Sequence, residues 1–306
     1  MARDRSGSAA KYHLEVDERR PNSHTMALDF TGHGRRVLEL GCAAGHVTTA
    51  LKARGHTVVG VEIDPVSAAT ARTIADEVIT ADLDREPLTS LITDRRFDVV
   101  LMGDVLEHLR DPLTVLTEAV TLLEPDGIAV VSIPNVAYVD LRLALLEGEW
   151  NYQSDGLLDD THLRFFTRRS LFRFAADAGL TVTELRRVVK APGTSNVAPR
   201  TTAIGTDLRD LVLLDPNATT YVFVARLERR TPETEAVCRS LDEALSKDED
   251  AAAAMIVDII EARRREYHSL LDSRRELIAL QNSKLMRWSQ LPRRIYRRLR
   301  RLLRLG

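Results

Sequence analysis

The sequence predicts an α/β fold built on a doubly wound, mostly parallel sheet, and three observations predict it. From about residue 36 to residue 228, short β-rich apolar runs alternate with amphipathic helical stretches. Helix ends carry their usual punctuation, a following glycine or an Asp-Pro start. The first strand runs straight into a glycine-bracketed turn, "ELGCAAGH", which opens a helix. Strands and helices alternating at this spacing imply right-handed crossovers and a sheet covered on both faces.

The elements follow in order. "RVLEL" (36–40) is the first strand, with a helix over Val47–Arg54 that stops at Gly55. "TVVGVEI" (57–63) is the second, and Pro65 opens a helix to about Ile74. "EVITADL" gives a short third strand and "FDVVLM" (97–102) a fourth. Asp111 and Pro112 supply an N-cap and a first-turn proline; Leu113, Leu116, Val120 and Leu123 then mark one helical face, ended by "EPDG". "IAVVSIP" (128–134) is the fifth strand, and residues 136–166 form a lid-like insertion rich in aromatic and polar residues. Thr167 caps a helix through Ala178, "LTVTELRRVV" is the sixth strand, 191–217 reads as a loop, and "TYVFVARLE" (220–228) is the last strand. The expected organisation is a cap segment at 1–30, a catalytic-type domain at 31–230 and a helical extension at 231–306. Leu271, Ile278 and Leu285 are seven apart in that extension, but Arg274 and Gln281 spoil the alternate seam.

Composition narrows the class. With 44% apolar and 29% charged residues, neither wholesale disorder nor an integral membrane protein is expected. The N-terminal stretch has no apolar signal core, and Cys42 and Cys238 are far apart without metal-ligand spacing, so a cytoplasmic chain with free thiols is expected. The net charge of −2 hides an asymmetry. Residues 284–306 carry nine basic residues and no acid, leaving 34 basic against 45 acidic residues, or −11, in the first 283.

The glycine-bracketed turn narrows the ligand. A dinucleotide fingerprint needs G-x-G-x-x-G, but counting from Gly41 this chain has Ala43 third and His46 sixth. A helix N-terminus suits a carboxylate there, while Ala43 crowds a pyrophosphate. Glu62 ends the second strand 21 residues after Gly41, placed to accept from ribose hydroxyls; Asp82, after the third strand, can accept from an adenine amino group. A nucleoside bearing a carboxylate describes S-adenosylmethionine.

"VLELGCAAGHVTTAL", "VVGVEIDP", "ITADLD" and "FDVVLMGDVLEHLRDP" resemble, in order and spacing, the class I S-adenosylmethionine-dependent methyltransferases over residues 30–230. The resemblance implies a seven-stranded Rossmann-like sheet and S-adenosylhomocysteine as product. It sets Glu39, Gly41, Cys42, Ala43 and Gly45 against the methionine part, Glu62 and Ile63 at the ribose, Asp82 and Leu83 near the adenine, and Gly103 and Asp104 beside the cofactor. "LLDDTHLRFFT" and "KYHLEVDERRPNSH" resemble a bacterial subgroup associated with glycosyltransferases of surface-polysaccharide and glycolipid assembly, which implies O-methylation of a sugar, glycan or glycolipid. A small-molecule O- or N-methyltransferase, including one for aminosugars, and a non-catalytic cofactor-binding scaffold are the alternatives.

A hydroxyl acceptor calls for a proton acceptor within hydrogen-bond reach. His108 and His162 compete for that role, with Asp104 as a third candidate near the reacting atoms. Their structural alternatives are that His108 orders the turn into the Asp111 helix and that Asp159, Thr161 and His162 pin the lid by hydrogen bonds. Tyr12, His13, Tyr138, Trp150, Tyr152, Asp159, Asp160 and Arg164 are candidate substrate contacts. No H-x-x-x-H pair occurs, and no metal is expected. The basic amphipathic end, 284–306, reads as a peripheral contact to the inner membrane face or a glycan-assembly partner, and the helical extension as a route to a homodimer. No nucleic-acid groove or stacking platform is evident.

Overall fold

A computed structural model describes residues 22–198 and 206–282. Its seven strands are β1 (Arg36–Leu40), β2 (Thr57–Glu62), β3 (Glu77–Thr80), β4 (Phe97–Gly103), β5 (Leu123–Pro134), β6 (Leu180–Val189) and β7 (Thr220–Arg229). They lie in the order β3-β2-β1-β4-β5-β7-β6. The first five pair parallel, and β7 runs antiparallel between β5 and β6. The doubly wound, mostly parallel, seven-stranded sheet is therefore present.

Period-2 alternation sorts the central strands between two cores. Leu38, Leu40, Val100 and Met102 face one side. Leu88 of α4 (Leu88–Leu91), Leu116 of α5 (Pro112–Thr121), and Leu171 and Ala175 of α7 (Arg168–Asp177) cover them there. Val37, Val58, Val99 and Leu101 face the other, beneath Leu28 and Phe30 of α1 (Ser23–Thr31) and Leu51 of α2 (His46–Ala53). Local chemistry sets the helix starts. Asp64 accepts from Ser67 N–H at 2.8 Å ahead of Pro65 in α3 (Pro65–Ala71), Asp111 accepts from Thr114 N–H at 3.2 Å, and Thr167 and Ser170 form a reciprocal capping box.

Three expectations need revision. Leu123 belongs to β5, where it pairs with Phe97, and not to the preceding helical face. Two further helices lie where irregular chain was expected: α6 (Val139–Leu146) within the insertion and α8 (Thr206–Leu213) within 191–217. Val212 and Leu213 of α8 pack on the cluster that includes Val139 and Leu141 of α6, so tertiary burial specifies a helix that turn-rich flanks concealed.

One compact unit runs to Glu249 and a second begins at Asp250, with the 51-residue α9 (Pro232–Asn282) contributing to both. Its first turns belong to the first unit. The buried Arg168 guanidinium donates to Asp242 at 2.6 Å and to Ser246 at 3.3 Å, and Leu241 packs against the sheet core. No helix among the described residues is long and apolar enough to cross a membrane. Tyr12, His13 and the basic segment 284–306 lie outside the described residues.

Asp242→Ala should remove one carboxylate from the buried Arg168. Removing one partner of a fully buried pair costs more, but Asp242 is half exposed, so a loss of about 2 kcal/mol is expected in a urea titration. An unchanged midpoint would mean that this pair does not hold the start of α9.

Candidate active site

Strand order reverses between β1 and β4, so the turns leaving their carboxyl ends emerge side by side. The β1 turn spans Gly41–Gly45. Gly41 has φ +70°, and a Cβ there would stand 2.6 Å from Cγ2 of Val105, in the turn after β4. Gly45, at φ +89°, would bring a Cβ to 2.9 Å from Ile74 Cδ1. Only glycine meets both demands. Ala43 is also left-handed, at φ 45°, a conformation costing an L-residue about 1–2 kcal/mol. Its N–H donates to Glu62 Oε2 at 2.8 Å, while Asp64 N–H donates to Glu62 Oε1 at 2.8 Å. Glu62 therefore closes the turn with charge-assisted bonds that offset the strain.

The remaining cofactor candidates divide. Glu39 is buried on the α2 side of β1 and accepts the Thr48 hydroxyl at 2.6 Å, bracing strand to helix beneath the turn. Ile63 is an exposed apolar residue just past Glu62. Asp82 accepts from Asp84 N–H at 3.0 Å and pairs with Arg85 at 3.2 Å, while Leu83 leans on the core. Gly103 ends β4, and Asp104 follows at φ 53°. Its N–H donates to Ser132 Oγ at 2.9 Å, and the Ser132 hydroxyl donates back to Asp104 Oδ1 at 2.8 Å. His24 Nε2 of α1 lies 3.8 Å from Asp104 Oδ2. Ser132 had no motif to mark it, and His24 ends the "KYHLEVDERRPNSH" segment without having been singled out.

One of these candidates is narrowed to its backbone, and one pocket candidate is corrected. The Cys42 side chain is buried with Ala68, Ala71 and Val78, and burial pushes its thiol far up, so only its backbone can face a ligand. Tyr138 is not a pocket residue: it is fully buried, and its hydroxyl donates to Ala191 O at 2.7 Å. Trp150 and Tyr152 do reach the surface, with the Trp150 ring 5.4 Å from Phe165. Asp160 and Arg164 are exposed, and Arg164 donates to the Arg110 carbonyl.

The insertion packs on the turn after β4. Leu163 and Arg164 N–H both donate to the Glu107 carbonyl, at 2.7 and 3.0 Å. Glu107 and His108 belong to a single 3₁₀ turn, Leu106–His108. This latch brings the His108 and His162 rings to 4.7 Å between centroids, edge to face. Thr161 donates to Asp159 Oδ1 at 2.6 Å, and its Oγ1 lies 3.0 Å from His108 Nδ1. Burial and the neighbouring His162 lower His108 to about 4, so the ring is neutral at pH 7. Burial, reinforced by Asp104, raises the Glu107 carboxyl well above its ordinary range. Glu107, His108 and His162 form a cluster with the composition of a metal site, where the sequence suggested none. No motif could reveal it, because His108 and His162 are 54 residues apart in the chain and only the fold brings their rings together.

A family model described as a methyltransferase domain matches residues 9–185, more than half of the chain. The chain belongs to the methyltransferase-domain family. Among curated relatives, the Bradyrhizobium diazoefficiens ubiquinone biosynthesis O-methyltransferase is 32% identical over 162 residues, covering 52% of this chain and 63% of that protein. The Azorhizobium caulinodans protein of the same description is 32% identical over 163 residues, covering 52% and 64%. The match thus spans less than two thirds of those relatives. A chain from the complex of the Haloferax volcanii Trm112 methyltransferase activator with a methyltransferase superposes with a TM-score of 0.50 at 19% identity, covering 76% of this chain and all of that one. That likeness concerns the fold.

Two measurements test how this methyltransferase domain builds its turn. Burial raises the Glu39 carboxyl to about 7, with Thr48 pulling it down and Glu62 adding to the rise. The folded chain therefore holds this proton more tightly than the unfolded one. Stability should fall as pH rises from about 4.5 to about 7, by on the order of 3 kcal/mol, and level off above. Glu39→Gln should remove that slope; an identical slope in the variant would refute the assignment. At Gly60, a Cβ would stand 2.7 Å from Cys42 Sγ. Gly60→Ala should cost about 1–3 kcal/mol, and less in a Cys42→Ala background. Equal costs in both backgrounds would place the strain elsewhere.

Proposed function

We propose that this chain transfers the methyl group of S-adenosylmethionine to a hydroxyl of a small-molecule acceptor. The observation that carries the cofactor reading is the Gly41–Gly45 turn closed on Glu62, packed so tightly that a Cβ at either glycine would collide with Val105 or Ile74. When bound, S-adenosylmethionine supplies an electrophilic methyl and leaves as S-adenosylhomocysteine. The turn's backbone suits the methionine end, and each Glu62 oxygen keeps acceptor capacity beyond its one backbone bond. Asp104, anchored by Ser132, and the lid latched on Glu107 position the acceptor and exclude water. His108 is neutral, but a ring titrating near 4 is a weak proton acceptor for a hydroxyl, which argues against the simple general-base role.

The acceptor reading follows the relatives, whose printed activity is O-methylation in ubiquinone biosynthesis. They favour the small-molecule alternative over the sugar, glycan or glycolipid acceptor suggested by the lid sequence. Exposed Trp150, Tyr152 and Leu163 add apolar surface to the lid, which suits an acceptor with an apolar body. Methyl-labelled cofactor, tested against aromatic hydroxy compounds, polyketides and saccharides, should label the first two classes in preference to the third. Glu62→Ala should weaken cofactor binding at least about tenfold, the loss of one charge-assisted contact set. Preferential labelling of saccharides would restore the glycan reading, and firm cofactor binding with no labelled acceptor would favour a scaffold.

A further inference from the structure

Glu107 is the side chain that methyl transfer leaves unexplained. It is 1% exposed, and neither carboxylate oxygen has a hydrogen-bond partner among the described residues. Such burial is costly whether the group is ionised or protonated, and a native structure keeps it for a reason. One potential ligand atom from each of Glu107, His108 and His162 lies within 4.8 Å of the others.

Hydrogen bonding sets the tautomer of both rings. Thr161 has one hydroxyl hydrogen, and its 2.6 Å bond to Asp159 uses it, so Thr161 Oγ1 accepts from His108 Nδ1 at 3.0 Å. His162 Nδ1 lies 3.1 Å from the Leu157 carbonyl, which can only accept. Each ring thus donates through Nδ1 and carries its lone pair on Nε2. Histidines that donate to a carbonyl, or through a hydroxyl to a carboxylate, are oriented as metal ligands are.

We propose that Glu107, His108 and His162 hold one first-row divalent transition-metal ion through a carboxylate oxygen and two Nε2 atoms. Two imidazoles and one carboxylate favour an ion such as Zn²⁺ over Mg²⁺ or Ca²⁺, and three protein ligands leave a position open. Binding stands on these residues alone; the ion's task rests on the O-methyl-transfer reading. With an ion held there, an acceptor hydroxyl would lose its proton to bulk water before the site closes, and its oxygen electron pair would form the new C–O bond while the C–S pair returns to sulfur.

The test uses the full chain, treated with chelator and titrated with Co²⁺ in the absence of cofactor and acceptor. One equivalent should bind with the visible absorption of an imidazole-ligated ion, Zn²⁺ should displace it, and Mg²⁺ should not. Glu107→Gln and His162→Gln should each weaken Co²⁺ binding by at least about tenfold. Thr161→Val, which touches only the ring's support, should weaken it by about tenfold while retaining the thermal midpoint of the metal-free chain. No stoichiometric Co²⁺ spectrum in the parent chain, or unchanged affinity in both ligand variants, overturns the site. Neither result bears on methyl transfer, which is read from label in the acceptor.

Discussion

The reversal of strand order between β1 and β4 is the constraint on which the rest depends. Parallel pairing sends both strands the same way, so the Gly41 turn and the Asp104–His108 turn leave the sheet together. Their closeness is measurable in the space that a Cβ at Gly41 would have to share with Val105. A cofactor-type turn and the proposed chemical centre become neighbours through topology, before any side chain is chosen.

Two kinds of support then hold these turns. Around the first, Glu62 is tied to backbone N–H groups on both sides, so an apparently exposed strand-end acid serves as a buried clasp. Around the second, the Glu107 carbonyl takes two N–H groups from the lid. That backbone latch brings His162 beside His108 and seals Glu107 from water. The same contact that orders the lid creates the unusual electrostatics of the cluster, since removing solvent raises the carboxyl and lowers the imidazole.

Much of the sheet was legible because β-branched runs and helix caps are local signals. Strands β1 to β5, the helix start at Pro65, the Asp111 and Thr167 caps, and the Gly41–Gly45 turn could all be read from short windows. Helices α6 and α8 could not, because each owes its order to burial against the other and not to a strong periodic stripe. Tyr138 misled for a related reason: residue type suggested a pocket, whereas neighbours remote in sequence buried its side chain.

By itself, the sequence determined the strand–helix alternation, the non-dinucleotide turn and the acid that ends β2, since each is encoded within a few consecutive residues. Only the tertiary structure decided that Glu107 is buried, that His108 and His162 meet, and which ring nitrogen carries each lone pair. Those properties arise from desolvation and hydrogen bonding between segments about fifty residues apart, which no local pattern can specify.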